Sequence, residues 1–173
     1  HPHIGTNKLP SIIARMRKTI LDYGGEIHFE KKLIDLELAD NKINKLVCQD
    51  GSEFACEQLI LATGHSARDI FYLLDKKGIK IEAKPFALGV RIEHTQALID
   101  SIQYRRPARG KNLPPASYSI VSQAGGRGVF SFCMCPGGVI ASASTDISET
   151  VVNGWSSSAR NGTYSNSGMV VEV

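Results

Sequence analysis

A junction of small residues follows the most apolar segment of the chain. Residues 59–62, LILA, are apolar at every position and lead directly into Thr63, Gly64 and His65. Ala62 and Gly64 let another group approach the backbone closely, Thr63 offers a hydroxyl, and an imidazole such as that of His65 titrates near neutral pH. The junction therefore predicts a site where a ligand lies against the main chain. The alternative is a strand-to-helix turn that needs glycine only for its geometry.

Two of the four cysteines, Cys133 and Cys135, lie two positions apart in a run of strand character, GVFSFCMC. Alternation along a strand would place both side chains on the same face. A redox pair or half of a metal site is one interpretation. Small apolar packing is favoured over it, because neighbouring cysteines on one face form a disulfide only with strain. Without a secretory signal we expect free thiols and a cytoplasmic, reducing compartment.

Other side chains that could take part in chemistry are histidines and cationic residues. His1 and His3 have the H-x-H spacing of a metal site, but no third ligand is identifiable, so no metal is predicted. Lys84, Arg91 and Arg127 are candidates to pair with an anion, with a solvated surface position as the alternative. Arg91 is the most informative, because a guanidinium within the otherwise apolar run ALGVRIEH requires a partner.

The elements that must position the junction follow from apolar spacing. The first is a helix that ends at Gly24-Gly25 and carries apolar residues at helical spacing, namely Leu9, Ile12, Ile13, Met16 and Ile20. The segments EIHFE, LIDLELA, INKLVCQ and EFACE then predict a β-meander. LILA reads as a strand covered on both faces. Ser66 as N-cap and Asp69 as its capping-box partner predict a helix that Gly78 closes.

From about Lys84 the sequence becomes β-rich, with strand-like runs FALGVRIEH, ASYSIVSQ, GVFSFCMC, GVIASAS and GMVVEV and a short helix over residues 95–102. GGRG at 125–128 predicts a hairpin turn. Beyond Ile147 no strong element is readable before GMVVEV. The predicted fold class is α+β, a mixed sheet with a β-meander and flanking helices. We place the domain boundary near residue 83, which gives domains 1–83 and 84–173.

Composition limits the class of protein. The 173 residues are 42% hydrophobic and 21% charged, as in ordinary globular proteins. No apolar run approaches the ~20 residues that span a bilayer, so a membrane protein is not expected. The net charge of +3 is dispersed, which argues against nucleic acid as a partner. Because the chain opens without Met and stops in a strand-like run, we expect a piece of a longer protein.

Four stretches in order, PHIGTNKLP, LATGHSARDIF, KPFALGVRIEH and FSFCMCPGG, resemble the uncharacterised bacterial FAD-dependent dehydrogenases, which are flavoproteins with two dinucleotide-binding domains. The resemblance implies that residues 1–83 are part of an FAD-binding domain whose buried strand ends in Ala-Thr-Gly. It assigns Ala62, Thr63, Gly64 and His65 to the cofactor site. Residues 84–173 would be part of a β-rich domain for a small-molecule substrate. The catalytic residues stay unassigned.

One feature of such flavoproteins is missing from the sequence. The fingerprint that holds the FAD pyrophosphate, G-x-G-x-x-G between a strand and a helix, is not found. We therefore expect that a parent oxidoreductase binds FAD with the help of segments that lie outside this chain. The isolated chain should not retain FAD, should be inactive and, with sheet edges left open, should be prone to self-association. The alternatives are a related flavoprotein that modifies RNA and a non-catalytic interaction module on the same fold.

Overall fold

The computed structural model describes residues 3–173 and divides into two compact units. One unit contains the residues up to Lys18 together with Pro85–Val173, and the other is Thr19–Lys84. The predicted α+β class is confirmed. The predicted mixed sheet is wrong for the described residues, because every strand pairing among them is antiparallel. None of the described helices is long and apolar enough to cross a membrane.

The first helix, α1, spans Leu9–Asp22 and follows a 3-10 turn at Thr6–Lys8. It ends as the sequence predicts. Gly24 adopts a left-handed conformation, and the N–H of Gly25 donates to the Ile20 carbonyl at 2.9 Å. This is the usual way in which a glycine satisfies the last carbonyls of a helix.

The predicted meander is confirmed as a three-stranded sheet of β1 (Leu33–Ala39), β2 (Lys42–Cys48) and β3 (Glu53–Ala55), in that order. Lys45 on the central strand pairs with Glu53 at 2.8 Å and Glu37 at 3.1 Å, and these carboxylates raise the pKa of Lys45. The fourth predicted strand, EIHFE, is wrong. There the ring of His28 contacts Glu26 at 2.8 Å and packs on Phe54, and the segment joins no ladder.

The second helix, α2 (Arg68–Lys76), packs on β1 and buries Ile70 and Leu73. Lys77 at its end forms an ion pair with Asp35 of β1 at 2.6 Å, which lowers the pKa of that carboxyl. The predicted capping box at Ser66 is wrong. The N-cap is Ala67, and Asp69 instead pairs with Lys32 at 3.1 Å. The predicted end at Gly78 is confirmed, since the N–H of Ile79 donates back to the carbonyl of Leu74 at 3.0 Å.

In the other unit a four-stranded sheet has the order β4-β9-β6-β5. Its strands are β4 (Ala87–Thr95), β5 (Val121–Ala124), β6 (Arg127–Cys135) and β9 (Tyr164–Glu172). A separate hairpin joins β7 (Gly138–Ser142) to β8 (Val152–Ser156). The turn predicted at GGRG is confirmed between β5 and β6. Strand β8, VNGWS, lacks the alternation that would have revealed it.

The third helix, α3 (Gln96–Tyr104), follows β4 and carries a buried polar network. The amide of Gln96 donates to Asp100 at 2.9 Å and to the Ala116 carbonyl at 3.0 Å, and its oxygen accepts the Gly137 N–H at 2.8 Å. The Ala116 N–H in turn donates to Asp100 at 2.8 Å. Two segments far apart in sequence, at Ala116 and at Gly137, are thereby fixed to one helix turn.

Replacing Leu36 should destabilise the Thr19–Lys84 unit. Leu36 is 1% exposed on β1, and Leu36→Ala should lower the free energy of unfolding by about 2–5 kcal/mol, because it removes buried methyl groups and leaves a cavity. Leu38 on the same strand is 39% exposed and is the control. Leu38→Ala should cost clearly less than Leu36→Ala by urea denaturation, because more than a third of the Leu38 side chain is already in water and its removal leaves no closed cavity. Equal losses for the two variants would contradict the assignment of Leu36 to the core.

Candidate functional site

The apolar segment before the junction lies exposed. No strand is formed over residues 58–64, and the side chain of Ile60 is 91% exposed, so the prediction of a buried strand is wrong for this chain. The physical reason is the lack of a neighbour. β1, β2 and β3 pair only with one another, and within residues 3–173 no hydrogen bond reaches the main chain of residues 59–65. Apolar composition alone does not make a strand without a ladder partner.

The junction itself is open. Ala62, Thr63, Gly64 and His65 are all exposed. Gly64 has φ of 79°, and a Cβ built on it would meet nothing within 4 Å. The left-handed backbone explains why a glycine stands here, and the open space leaves the neighbouring N–H groups accessible to an acceptor. The geometry thus fits a group lying against the main chain, and it also fits the simpler turn.

The second set of candidate residues surrounds Arg91 on β4. Its guanidinium donates to the side-chain oxygen of Asn166 on β9 and, at 3.0 Å, to the Cys133 carbonyl on β6. The prediction that Arg91 requires a partner is therefore confirmed. Both acceptors are neutral oxygens, so Arg91 links β4 to β9 and β6 through hydrogen bonds. The other two candidate cations, Lys84 and Arg127, are exposed.

The two nearby cysteines differ in environment. Cys133 has φ of 49° at a bulge where the pairing of β6 with β9 gains one residue between Phe132 and Cys135. The bulge breaks the strict alternation on which the same-face prediction depended. Cys133 is exposed, whereas Cys135 is partly buried. Burial raises the pKa of the Cys135 thiol, and the neighbouring Arg91 guanidinium acts in the opposite direction. All four cysteines are free in the structure.

Strand β9 holds buried polar residues that the sequence reading missed. Ser165, Asn166 and Ser167 are fully buried, and the Ser165 hydroxyl and the Asn166 amide nitrogen lack hydrogen-bond partners within the described chain. The only available signal was the polar run YSNS ahead of GMVVEV, which gives no indication of burial. The side-chain oxygen of Asn166, in contrast, accepts a hydrogen bond from the Arg91 guanidinium.

Two of the histidines that the structure describes contact oxygen atoms of the chain. His3 contacts the Ser157 carbonyl at 2.9 Å, and His94 contacts the Tyr118 hydroxyl at 3.3 Å. His1, the other half of the H-x-H pair, lies outside the described residues. Among residues 3–173 there is no group of three or more His, Cys, Asp or Glu side chains placed to hold a metal ion.

Comparison with known proteins identifies a family. Residues 85–173, just over half of the chain, match the family model described as "FAD-dependent protein, C-terminal domain-like". Across 99% of its length the chain is also 40% identical to an "Uncharacterized protein" of Clostridium beijerinckii. The chain spans 32% of the length of that relative.

Gly154 on β8 provides a test of the Arg91 cluster. A Cβ at this position would overlap the Arg91 guanidinium and the Cys135 sulfur. Gly154→Ala should therefore displace Arg91, leave the buried Asn166 without its donor and reduce the free energy of unfolding by about 1–3 kcal/mol. In the control Gly128→Ala on β6, the new Cβ meets no atom closer than 4.0 Å. If urea denaturation gave the same stability for both variants, the cluster would not have the tight packing described.

Proposed function

The chain belongs to the family of FAD-dependent proteins that share this C-terminal domain, and we propose that it is the central part of an FAD-dependent oxidoreductase. The match over residues 85–173 is the observation that carries the proposal. The 32% coverage of the longer relative supports placing the chain within a larger protein. Dehydrogenation of a small molecule is the proposed reaction class.

We assign the open junction to the cofactor side of the parent protein. The exposed main chain at Thr63, Gly64 and His65 would donate hydrogen bonds to the cofactor, and Ala62 would leave room for it. When bound, FAD supplies the transfer of electrons or hydride, and the protein positions and tunes it. His65 is exposed at the junction, where its side chain would be able to contact the bound cofactor.

The exposed apolar residues of the Thr19–Lys84 unit support an incomplete site. Ile60 and Leu61 are 91% and 37% exposed, although LILA has the composition of a strand covered on both faces. We propose that other segments of the parent protein pair with this stretch and supply the pyrophosphate-binding loop. The isolated chain would then bind FAD poorly and tend to self-associate through its open apolar surface.

The remaining assignments follow from the same proposal. Residues 84–173 would contribute to the substrate domain, and the substrate would be a small molecule. Nucleic acid is not the proposed partner, because the positive charges are dispersed along the sequence. The four free thiols are in keeping with a cytoplasmic protein.

Substitution of Gly64 in the parent protein tests the cofactor assignment. The parent should purify with FAD, visible by its absorption spectrum. Gly64→Asn keeps a residue type that tolerates positive φ but adds bulk and a polar group where the cofactor would approach. FAD affinity should fall at least about tenfold, which corresponds to about 1.4 kcal/mol.

The matched control is Gly78→Asn. Gly78 also has positive φ, and a Cβ on it would also meet nothing within 4 Å, but it closes α2 instead of following LILA. This variant should retain FAD. A colourless parent protein would contradict the proposed function, whereas full FAD occupancy in Gly64→Asn would show that residues 62–65 form an ordinary turn.

A further inference from the structure

The unit that contains Pro85–Val173, from here on the β-rich unit, has a cavity of about 480 Å³ that the proposed function does not use. Its walls include the hydroxyl side chains of Ser117, Tyr118 and Ser131, the apolar side chains of Met134 and Pro136, and Arg160. A volume of this size is in the range of small-molecule sites, which combine apolar walls with a few placed polar groups.

Arg160 gives the cavity its chemical character. The Nε atom of Arg160 is buried and lacks a hydrogen-bond partner within residues 3–173. The residues that line the cavity include no aspartate or glutamate. Because burial partly desolvates the guanidinium and no carboxylate lines the cavity, an anionic oxygen in the cavity would compensate the charge at the terminal guanidinium nitrogens.

The other walls favour a carboxylate with an apolar body. A guanidinium matches the planar geometry of a carboxylate with two parallel hydrogen bonds, and one guanidinium balances one negative charge. Ser131 Oγ accepts the Ile120 N–H at 2.8 Å, which leaves its own proton free to donate into the cavity. Met134 and Pro136 offer the apolar surface for the rest of the ligand.

The cavity is preformed by restraints on its walls. Residues 117–119, which carry the hydroxyl groups, follow Ala116, and Ala116 is hydrogen-bonded to the side chains of Gln96 and Asp100. Pro136 precedes Gly137, which is bonded to the Gln96 amide. Two residues after Arg160, the N–H of Gly162 donates to the Gly137 carbonyl at 3.1 Å. Fixed walls lower the ordering cost of binding.

Two cavity-lining residues have unusual backbones. Cys133 and Arg160 both have φ of 49°, in the left-handed region that residues with a Cβ seldom adopt. Such conformations persist where the surrounding structure enforces them, and they concentrate at functional sites. At Arg160 the enforced backbone orients the one cation of the lining.

From these observations we propose that the cavity binds a small organic monocarboxylate with an apolar body, held by Arg160 and the surrounding hydroxyls. The site lies within residues of the β-rich unit and requires no flavin, so it goes beyond the proposed function and its failure would leave that function untouched.

The probe is 4-fluorobenzoate, followed by fluorine NMR on the 173-residue chain. A ligand of this size with one good ion pair should bind with a dissociation constant of about 1 mM or tighter. Its neutral counterpart 4-fluorobenzamide should bind at least about tenfold more weakly, because it lacks the charge that Arg160 compensates. Inorganic phosphate at the same concentration should not displace the probe.

Variants assign the binding to the cavity. Arg160→Gln should weaken 4-fluorobenzoate binding about tenfold or more. Arg160→Lys keeps the charge but loses the planar guanidinium with its two parallel donors, so its affinity should lie between those of Arg160→Gln and the unmodified chain. Arg106→Gln removes an exposed arginine outside the cavity lining and should leave binding unchanged. Circular dichroism of each variant checks that it is folded.

A second variant, Tyr118→Phe, tests the hydroxyl wall without altering Arg160, and it should weaken binding severalfold. The proposal is overturned if the unmodified chain does not bind 4-fluorobenzoate below about 10 mM. It is equally overturned if folded Arg160→Gln binds as well as Arg106→Gln, or if 4-fluorobenzamide or inorganic phosphate competes as effectively as 4-fluorobenzoate.

Discussion

The β-rich unit depends on one buried amide, the side chain of Gln96. This side chain is 6% exposed and makes hydrogen bonds to Asp100, Ala116 and Gly137. Each such bond contributes about 1 kcal/mol net, but a buried partner left unsatisfied costs about 1–3 kcal/mol. Because the partners lie on a helix, a loop and a turn, the segments cannot separate without exposing several unpaired groups together. Asp100 also pairs with Arg109 at 3.5 Å, which compensates its buried charge.

The same constraint shapes the cavity next to it. Ala116 and Gly137 each end a segment that lines the cavity, and Gly162 brings the Arg160 turn against Gly137. Arg91 links β4 by hydrogen bonds to β9 and to the β6 bulge. The sheet therefore provides the frame, the Gln96 network sets the loops, and the bulge directs Cys133 out of the regular ladder. Polar interactions, more than apolar burial, determine the local geometry of this unit.

Local patterns in the sequence predicted the local structure well. Apolar spacing indicated α1 and the meander, and paired glycines indicated the β5–β6 turn. The same reasoning failed for LILA and EIHFE, since composition does not reveal whether a neighbouring strand is available to pair with them. It also failed at Cys133, where one extra residue in β6 shifts the register. Arg91 was predicted to need a partner, but Asn166 lies 75 positions away, and only the fold brings the two together.

The cavity shows the limit of sequence reasoning more clearly. Its lining comes from three separate parts of the chain, and the sequence does not reveal that they meet: Ser117, Tyr118 and Ser119, then Ser131, Cys133, Met134 and Pro136, and finally Arg160. The junction at residues 62–65 is the opposite case. Its residues are consecutive in sequence, so the motif is easy to recognise. The described chain does not surround them, because they are exposed and LILA has no strand neighbour.

Whether the chain holds part of a flavin site or a whole one is measured most directly by titrating the 173-residue chain with FAD, following flavin fluorescence or heat, beside the parent protein. A helix N-terminus with a glycine-rich loop supplies most of the donors for a pyrophosphate, and one open junction does not replace them. The parent should therefore bind FAD tightly, while the chain alone should bind with a dissociation constant weaker than about 1 μM, the equivalent of about 8 kcal/mol. Micromolar or tighter binding by the chain alone would contradict a partial site.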